Sequence, residues 1–172
     1  MAKRPSDVQG GPGFFDDIDE PDRPTSGRRL IVEADGGSRG NPGPAAYGAL
    51  VRDAQTSKVL AAEGVPIGRA TNNVAEYRGL IAGLEMAREL DPTAPLEVRM
   101  DSKLVIEQMA GRWKVRHADM KPLALEAARL RPAKVTWTWV PRELNRAADA
   151  LLNRALDGDP VPRKYAVDRP AE

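Results

Sequence analysis

Four acidic residues occupy positions from which they could bind divalent cations together. Asp35 and Asp101 each close a β-rich run, whereas Glu76 and Asp149 fall in the first turns of two helix-like segments. A right-handed helical crossover between the first and fourth strands would make those strands parallel. Asp35 and Asp101 would then meet at the end of the sheet where open α/β sheets bind ligands. Glu76 would lie near the same end because its helix forms the crossover.

Four neighbouring carboxylates would repel one another and raise one another's pKa values. Two magnesium ions would remove this conflict, since their positive charge balances that of the four carboxylates. Each acid also has an ordinary structural interpretation, because the helix dipole favours an acid in a first turn whatever its function. The pattern by itself therefore leaves open both a metal centre and a set of structural acids.

The elements that must position these acids follow the order β-β-β-α-β-α-α-β-α. Residue type and turn signals predict five strands, at Leu30–Asp35, Tyr47–Val51, Val59–Val65, Leu96–Met100 and Lys134–Val140. Capping residues and apolar periodicity predict four helices, at about 71–90, 102–110, 121–130 and 145–156. The fold class expected from this order is α/β.

Both ends of the chain have compositions that disfavour folding. Residues 1–28 combine glycine, proline and an acidic run, and they are predicted to form a disordered arm because they cannot bury enough apolar surface. Within the arm, Phe14-Phe15 followed by acids is either a docking motif for a basic groove on another protein or part of a solubilising tail. Residues 158–172, with three prolines, are predicted to form a flexible tail. The folded domain is expected to span residues 29–157.

The composition narrows the kinds of site that the chain can build. It has no cysteine and one histidine, His117, so disulfides, thiol catalysis and thiolate metal sites are excluded and a histidine-built zinc site is not expected. Any metal must therefore be bound by oxygen atoms. No apolar run resembles a signal peptide or a membrane-spanning helix. A cytoplasmic protein is expected, and a monomer, because no obvious dimerisation surface is present.

Positive charge is concentrated in one part of the chain. Residues 102–148 carry ten basic and four acidic residues, a net charge of +6, whereas the whole chain has a net charge of +1. Such a segment suits a phosphate-binding surface, because neutralising phosphates releases condensed counterions. A solvated surface is the other interpretation.

Four segments around the acids resemble the motifs of the type 1 ribonuclease H family. Residues 34–48 (ADGGSRGNPGPAAYG) resemble its opening motif, and residues 71–76 (TNNVAE) resemble its second. Asp101-Ser102 resembles the third motif, and residues 145–149 (NRAAD) resemble the fourth. All four occur in the family order, and the resemblance covers roughly residues 29–157.

This resemblance implies a ribonuclease H-like fold, with a five-stranded mixed sheet flanked by helices, and cleavage of the RNA strand of RNA–DNA hybrids. It implies that Asp35, Glu76, Asp101 and Asp149 are catalytic and bind two Mg²⁺ ions, with Mn²⁺ as a substitute. Asp35 would contact both ions, Glu76 and Asp101 would complete one site, and Asp149 would help to hold the other. One ion would activate the attacking water and the second would stabilise the leaving 3′ oxygen, giving 5′-phosphate and 3′-hydroxyl ends.

The resemblance also implies contacts with the hybrid, whose 2′-hydroxyls lie in a wide minor groove and distinguish RNA from DNA. Asn41, Asn72 and Asn73 are expected to contact the hybrid, and Thr71 and Lys103 are weaker candidates for phosphate contacts. The asparagines also have structural interpretations, since Asn41 precedes a proline and suits a turn, and Asn72 or Asn73 could cap a helix.

The sequence departs from larger family members in two places. Larger members carry an extra basic helix and loop that bind the hybrid, and residues 108–120 are too few to form them, although three cations surround Trp113. Weaker binding of the hybrid is therefore expected, with a steeper dependence of that binding on salt. Trp113 is expected either to cover the core or to stack on nucleic acid. The loop before Asp149 lacks the histidine of many members, and Arg142 or Glu143 is the candidate substitute.

Three other functions remain open at this point. The same fold could serve as a hybrid-binding module that does not cleave, although the presence of all four acids argues against it. The same centre could act on another nucleic acid, as in integrases or reverse transcriptases. The domain could also derive from one half of a two-domain enzyme that carries a phosphatase, although too few residues follow Gly158 to encode a second activity.

Overall fold

The fold is seen in a computed structural model that describes residues 27–166 of the 172-residue chain. The Phe14-Phe15 motif and almost all of the predicted arm lie outside the described residues. Within residues 27–166, six strands and four α-helices form an α/β structure. None of the helices in this part of the chain has the length and apolar character needed to cross a membrane.

Most elements agree with the sequence prediction. The strands are β1 (Leu30–Ser38), β2 (Gly43–Asp53), β3 (Val59–Ala70), β4 (Leu96–Met100), β5 (Val135–Trp139) and β6 (Val161–Tyr165). The helices are α1 (Asn72–Leu90), α2 (Lys103–Met109), α3 (Lys121–Leu130) and α4 (Arg146–Leu156), and a 3-10 turn covers Arg142–Leu144. All four predicted helices and all five predicted strands are present.

The topology brings the first and fourth strands together. The sheet order is β5-β4-β1-β2-β3-β6, with β1 antiparallel to β2 and parallel to β4. Ala34 of β1 pairs with Met100 of β4, so Asp35 and Asp101 are the next residues along two neighbouring parallel strands. The crossover that makes these strands parallel includes α1, as predicted from the order of elements.

Helices cover the two faces of the sheet. Tyr47 of β2 belongs to the main core, together with Leu80 of α1, whereas its neighbour Ala46 packs against Leu152 and Ala155 of α4. Adjacent side chains of a strand point to opposite faces, so α1 and α4 lie on opposite sides of β2. The sheet therefore has one layer that carries Glu76 and another that carries Asp149.

The prediction of five strands is wrong, because residues 161–165 add a sixth. Part of the predicted flexible tail, residues 158–172, instead forms β6, which pairs antiparallel with β3. Residues 167–172 of that tail lie outside the described residues. Arg163 explains why a proline-rich segment is ordered here: its guanidinium donates to both oxygens of Glu63, with both distances 3.0 Å, and to Glu85 of α1 at 2.9 Å. Tyr47 donates its hydroxyl to the same Glu63 carboxylate at 2.6 Å. These contacts join residues far apart in sequence, so composition did not reveal them.

Arg163→Met should destabilise the fold by about 2 kcal/mol, because breaking a buried ion pair leaves the remaining charge without compensation. The Glu63 side chain is 5% exposed, and Arg163 is 27% exposed. The neighbouring Lys164 is exposed, so Lys164→Met is the matched control. Urea denaturation of both variants measures the effect, and equal midpoints would contradict the importance of this contact.

Candidate active site

Three carboxylates converge where β4 ends beside β1. Asp35 does not close its strand as predicted, because β1 continues to Ser38 through its pairing with β2. Asp35, Glu76 and Asp101 each offer an oxygen atom, and these atoms all lie within 4.8 Å of one another. Asp35 is buried, with 6% of its surface exposed, and the other two are half-buried. The two aspartates meet because β1 and β4 are parallel, which confirms that prediction from the order of elements.

Glu76 reaches this centre because α1 begins very close to β1. Thr71 caps the helix, its hydroxyl accepting a hydrogen bond from the Val74 amide at 3.3 Å. A Cβ atom added to Gly36 would lie 2.2 Å from the carbonyl carbon of Ala75 and 2.3 Å from the amide nitrogen of Glu76. The absence of a side chain at Gly36 therefore lets the first turns of α1 place Glu76 beside Asp35.

Asp149 lies outside the group of three but lines the same cavity. It sits on α4, where its amide donates to the carbonyl oxygen of Asn145 at 3.1 Å. Its carboxyl group is close enough to Asp35 to raise the pKa of that residue. The structure thus brings all four predicted acids to one cavity, three as a tight cluster and the fourth in the same cavity wall.

Burial and mutual repulsion disfavour ionisation in this cluster. Burial raises the pKa of Asp35 to about 8, and the neighbouring Asp101 and Asp149 add to the shift. Burial also raises the pKa of Glu76 well above its ordinary value, with further contributions from Asp35 and Asp101. Without a counter-charge, the centre therefore retains protons near neutral pH.

The donor set fits a hard divalent cation. All of its ligand atoms are carboxylate oxygens, which Mg²⁺ and Ca²⁺ prefer. Glu76 Oε2 is buried and has no hydrogen-bond partner among the described residues. A bound cation would satisfy this oxygen and stabilise the ionised form of the cluster.

The predicted substrate contacts surround the same end of the sheet. Asn72 Oδ1 accepts hydrogen bonds from the amide and hydroxyl of Ser38, at 2.8 and 3.1 Å. Asn41 Oδ1 accepts from the Asn72 amide at 3.0 Å, which holds the loop between β1 and β2 against the start of α1. Asn73 is exposed, and Thr71 is the residue that caps the helix. The alternative that Asn72 or Asn73 caps the helix is wrong, because Thr71 is the cap. Asn41 and Asn72 nevertheless have structural roles, which use their side-chain oxygen atoms.

Lys103 and Trp139 lie next to Asp101. The Lys103 ammonium is 5.7 Å from the centre of the Trp139 ring, within the range of a cation–π contact. Trp139 is 47% exposed and donates its ring N–H to the Asp101 carbonyl at 3.2 Å.

Trp113 is 46% exposed, so the prediction that it covers the core is not supported.

Sequence reasoning missed the part that Asn145 plays in this site. It was identified only as the first residue of the fourth motif, whereas its buried amide contacts the Asp101 carboxylate. Arg142, one of the two candidate substitutes for the missing histidine, lies 3.9 Å from the Asp149 carboxylate. Glu143 is exposed and does not line the cavity.

Gly36→Ala should weaken cation binding at this centre and make the fold less stable, because the new methyl group would push the start of α1 and Glu76 away from β1. Gly37→Ala is the matched control, since its added Cβ would meet nothing closer than Leu152 Cδ2 at 3.5 Å. We expect at least about a hundredfold weaker Mg²⁺ binding for Gly36→Ala, as expected when ligand geometry is disturbed. Calorimetric titration with Mg²⁺ checks this, and equal affinities in the two variants would contradict it.

Comparisons with known proteins identify the family to which this arrangement belongs. A family described as "Reverse transcriptase-like" matches residues 33–155. Ribonuclease HI of Halobacterium salinarum is 43% identical over 153 residues, which cover 87% of this chain and 74% of that protein. A bifunctional protein of Mycobacterium tuberculosis is 56% identical over 131 residues, 75% of this chain, but this chain spans only 36% of its length.

Solved structures give the same result. The N-terminal RNase H domain of the mycobacterial protein has a TM-score of 0.74 and 54% identity, and the match covers 77% of this chain and 96% of that structure. LC11-RNase H1, solved in complex with an RNA/DNA hybrid, has a TM-score of 0.72 and 38% identity, covering 76% of this chain and 98% of that structure. On these matches of sequence and structure, the chain belongs to the type 1 ribonuclease H family.

Proposed function

We propose that this protein is an endoribonuclease that hydrolyses the RNA strand of RNA–DNA hybrids with the help of two divalent metal ions. The observation that carries this proposal is the convergence of four carboxylates from four separate elements into one cavity, in a member of this family. Such a cluster is costly to bury unless cations bind to it. A set of structural acids would not need to meet in this way.

The four acids would bind the two metal ions together. Asp35 is near both Asp101 and Asp149, so it would help to hold both ions, with Glu76 and Asp101 completing one site and Asp149 the other. When bound, Mg²⁺, or Mn²⁺ in its place, supplies a water of lowered pKa and stabilises the oxygen that leaves the phosphorus. The products are then a 5′-phosphate and a 3′-hydroxyl end.

The asparagines near the cavity orient the hybrid. The Oδ1 atoms of Asn41 and Asn72 accept hydrogen bonds within the protein, so their amide nitrogens remain as donors to 2′-hydroxyl and phosphate oxygens. The exposed Asn73 adds a third amide, and Thr71 and Lys103 contact phosphates. This division lets each of Asn41 and Asn72 stabilise the local fold and read the substrate at once.

Cleavage of strand-labelled substrates tests the proposal. We expect Mg²⁺-dependent cutting of the RNA strand of a hybrid, no cutting of duplex RNA or duplex DNA of the same sequence, and complete loss of activity with a chelator. The labelled products should carry 5′-phosphate ends. Hybrid binding without cleavage would instead indicate a binding module, and cutting of duplex DNA would indicate a different nuclease. In this proposal the protein acts as a monomer, which light scattering checks.

Arg142→Ala should lower kcat about tenfold, because a cation beside the reacting phosphate stabilises the charge that develops there. Its guanidinium lies 3.9 Å from Asp149 and lines the cavity. Arginine remains protonated, so it cannot replace a histidine as a proton carrier and acts by its charge. Glu143→Ala is the control, and steady-state kinetics on a hybrid checks the pair. Equal rates for both variants and wild type would refute this role.

A further inference from the structure

Asn145 joins three of the elements that carry the carboxylates. Its side-chain nitrogen donates to the carbonyl oxygen of Ala34 at 3.0 Å and to Asp101 Oδ1 at 3.3 Å. Its own carbonyl oxygen accepts from the Asp149 amide at 3.1 Å. One residue therefore contacts β1 immediately before Asp35, the carboxylate that follows β4, and the first turn of α4.

The position of Asn145 in the sequence indicates a different use. It is the residue before α4, where an asparagine side chain normally accepts a hydrogen bond from the helix amides. The structure shows no such capping bond. The side chain is fully buried instead and turns inward to the acids. Because the Asn145 side chain does not cap α4, stabilisation of that helix does not explain why an asparagine stands at this position.

The chemistry of the contacts explains why an amide is required. Both partners, a main-chain carbonyl and a carboxylate, are acceptors, and the amide nitrogen of asparagine has two N–H groups to donate. An ionised aspartate at this position would have no donor and would add a further negative charge beside Asp101. Asn145 Oδ1 is buried and accepts no hydrogen bond from the described residues, so the contacts of this side chain run through its nitrogen.

We infer that Asn145 is the positioning residue of the carboxylate centre, which fixes the Asp101 carboxylate relative to Asp35 and the start of α4 so that the acids can bind metal together. This inference rests on the proposed function and adds a residue that does not itself need to touch metal or substrate. Groups that orient metal ligands in this way change metal affinity or activity by about 10- to 100-fold when they are replaced.

A purely structural role predicts a different result from a positioning role. If Asn145 only stabilised the fold, its replacement would lower the melting temperature equally with and without Mg²⁺. If it positions Asp101, its replacement must also weaken the response to the metal. The two roles therefore separate in a Mg²⁺ titration of thermal stability, which does not involve turnover.

The test compares Asn145→Leu, which is similar in size and has no donors, with Asn145→Ser, which keeps one hydroxyl donor, and with Leu130→Ala as a stability control. Leu130 lies in the core at the end of α3 and contributes no group to the acid cluster. For Asn145→Leu we expect the Mg²⁺ concentration at the midpoint of stabilisation to rise about tenfold and kcat to fall 10- to 100-fold, with KM for the hybrid within about twofold. For Asn145→Ser we expect a Mg²⁺ midpoint and a kcat between those of Asn145→Leu and wild type. This variant serves as the test if Asn145→Leu does not fold.

The outcomes distinguish this inference from the proposed function. Leu130→Ala should melt at a lower temperature but keep the wild-type Mg²⁺ midpoint and kcat. Asn145 variants that behave like Leu130→Ala would overturn the positioning role while the nuclease function stands. A wild-type protein that neither cleaves a hybrid nor responds to Mg²⁺ would overturn the proposed function and this inference with it.

Discussion

Asp35→Asn is expected to abolish cleavage of the RNA strand while the protein still binds the hybrid. Asp35 is the most central acid, since it belongs to the cluster with Glu76 and Asp101, and Asp149 also raises its pKa. The amide has nearly the same shape but no negative charge, so it can no longer hold two cations together. We expect the single-turnover rate to fall by at least about a thousandfold, because water activation and leaving-group stabilisation are lost together.

Two measurements and one control make this prediction specific. Single-turnover cleavage of a labelled hybrid gives the rate, and fluorescence anisotropy with the same hybrid gives the affinity. Asp119→Asn is the matched control, because Asp119 lies in the loop before α3 with its side chain 68% exposed. A cleaving Asp35→Asn variant would place the catalytic centre elsewhere, and loss of binding together with cleavage would mean that the substitution disturbs the whole site.

The metal-free protein is expected to lose stability as the pH rises from about 5 to about 8. Burial, together with the nearby Asp101 and Asp149, raises the pKa of Asp35 to about 8, and burial raises that of Glu76 in the same direction. The unfolded chain releases these protons near pH 4, whereas the folded protein retains them. Because the folded state binds more protons over this range, stability falls with rising pH. We expect a loss of roughly 2 kcal/mol across the range.

Magnesium should remove most of this pH dependence, because a bound cation stabilises the ionised carboxylates. Urea denaturation at several pH values, with a chelator and then with Mg²⁺, measures the effect. Asp35→Asn provides an internal control: it should be more stable than wild type at pH 8 in chelator and gain less from Mg²⁺. A metal-free wild type that grows more stable between pH 5 and pH 8 would contradict the raised pKa values.

The parts of the site that depend on topology were predictable from the sequence. Asp35 and Asp101 could be placed side by side because a crossover helix makes their strands parallel, and this rule holds whatever the side chains are. The position of Glu76 near these two aspartates was predictable because Glu76 stands at the start of the crossover helix. The family motifs then added Asp149, whose helix lies on the other face of the sheet.

The parts that depend on side-chain choice among several partners were not predictable. Asn145 stands where asparagine commonly caps a helix, and only the structure shows its amide turned toward Asp101. Trp113 could not be assigned to core or surface from its neighbours. β3 extends beyond its predicted end, through Pro66 to Ala70, because its pairing with β2 continues past an irregularity at Ala45 and Ala46. The local amino-acid composition does not predict such pairing between distant segments.

The sixth strand bears on how the domain should be shortened for experiments. A fragment that ended at Asp157, where the sequence alone placed the boundary, would lack β6 and the Arg163 guanidinium that neutralises Glu63. It would leave β3 as an open edge, and unpaired edges invite association with other chains. Such a fragment would keep all four acids and the contacts of Asn41 and Asn72, so any loss of activity would reflect aggregation rather than the chemistry of the site. Fragments and fusions of this domain should therefore extend at least to residue 166.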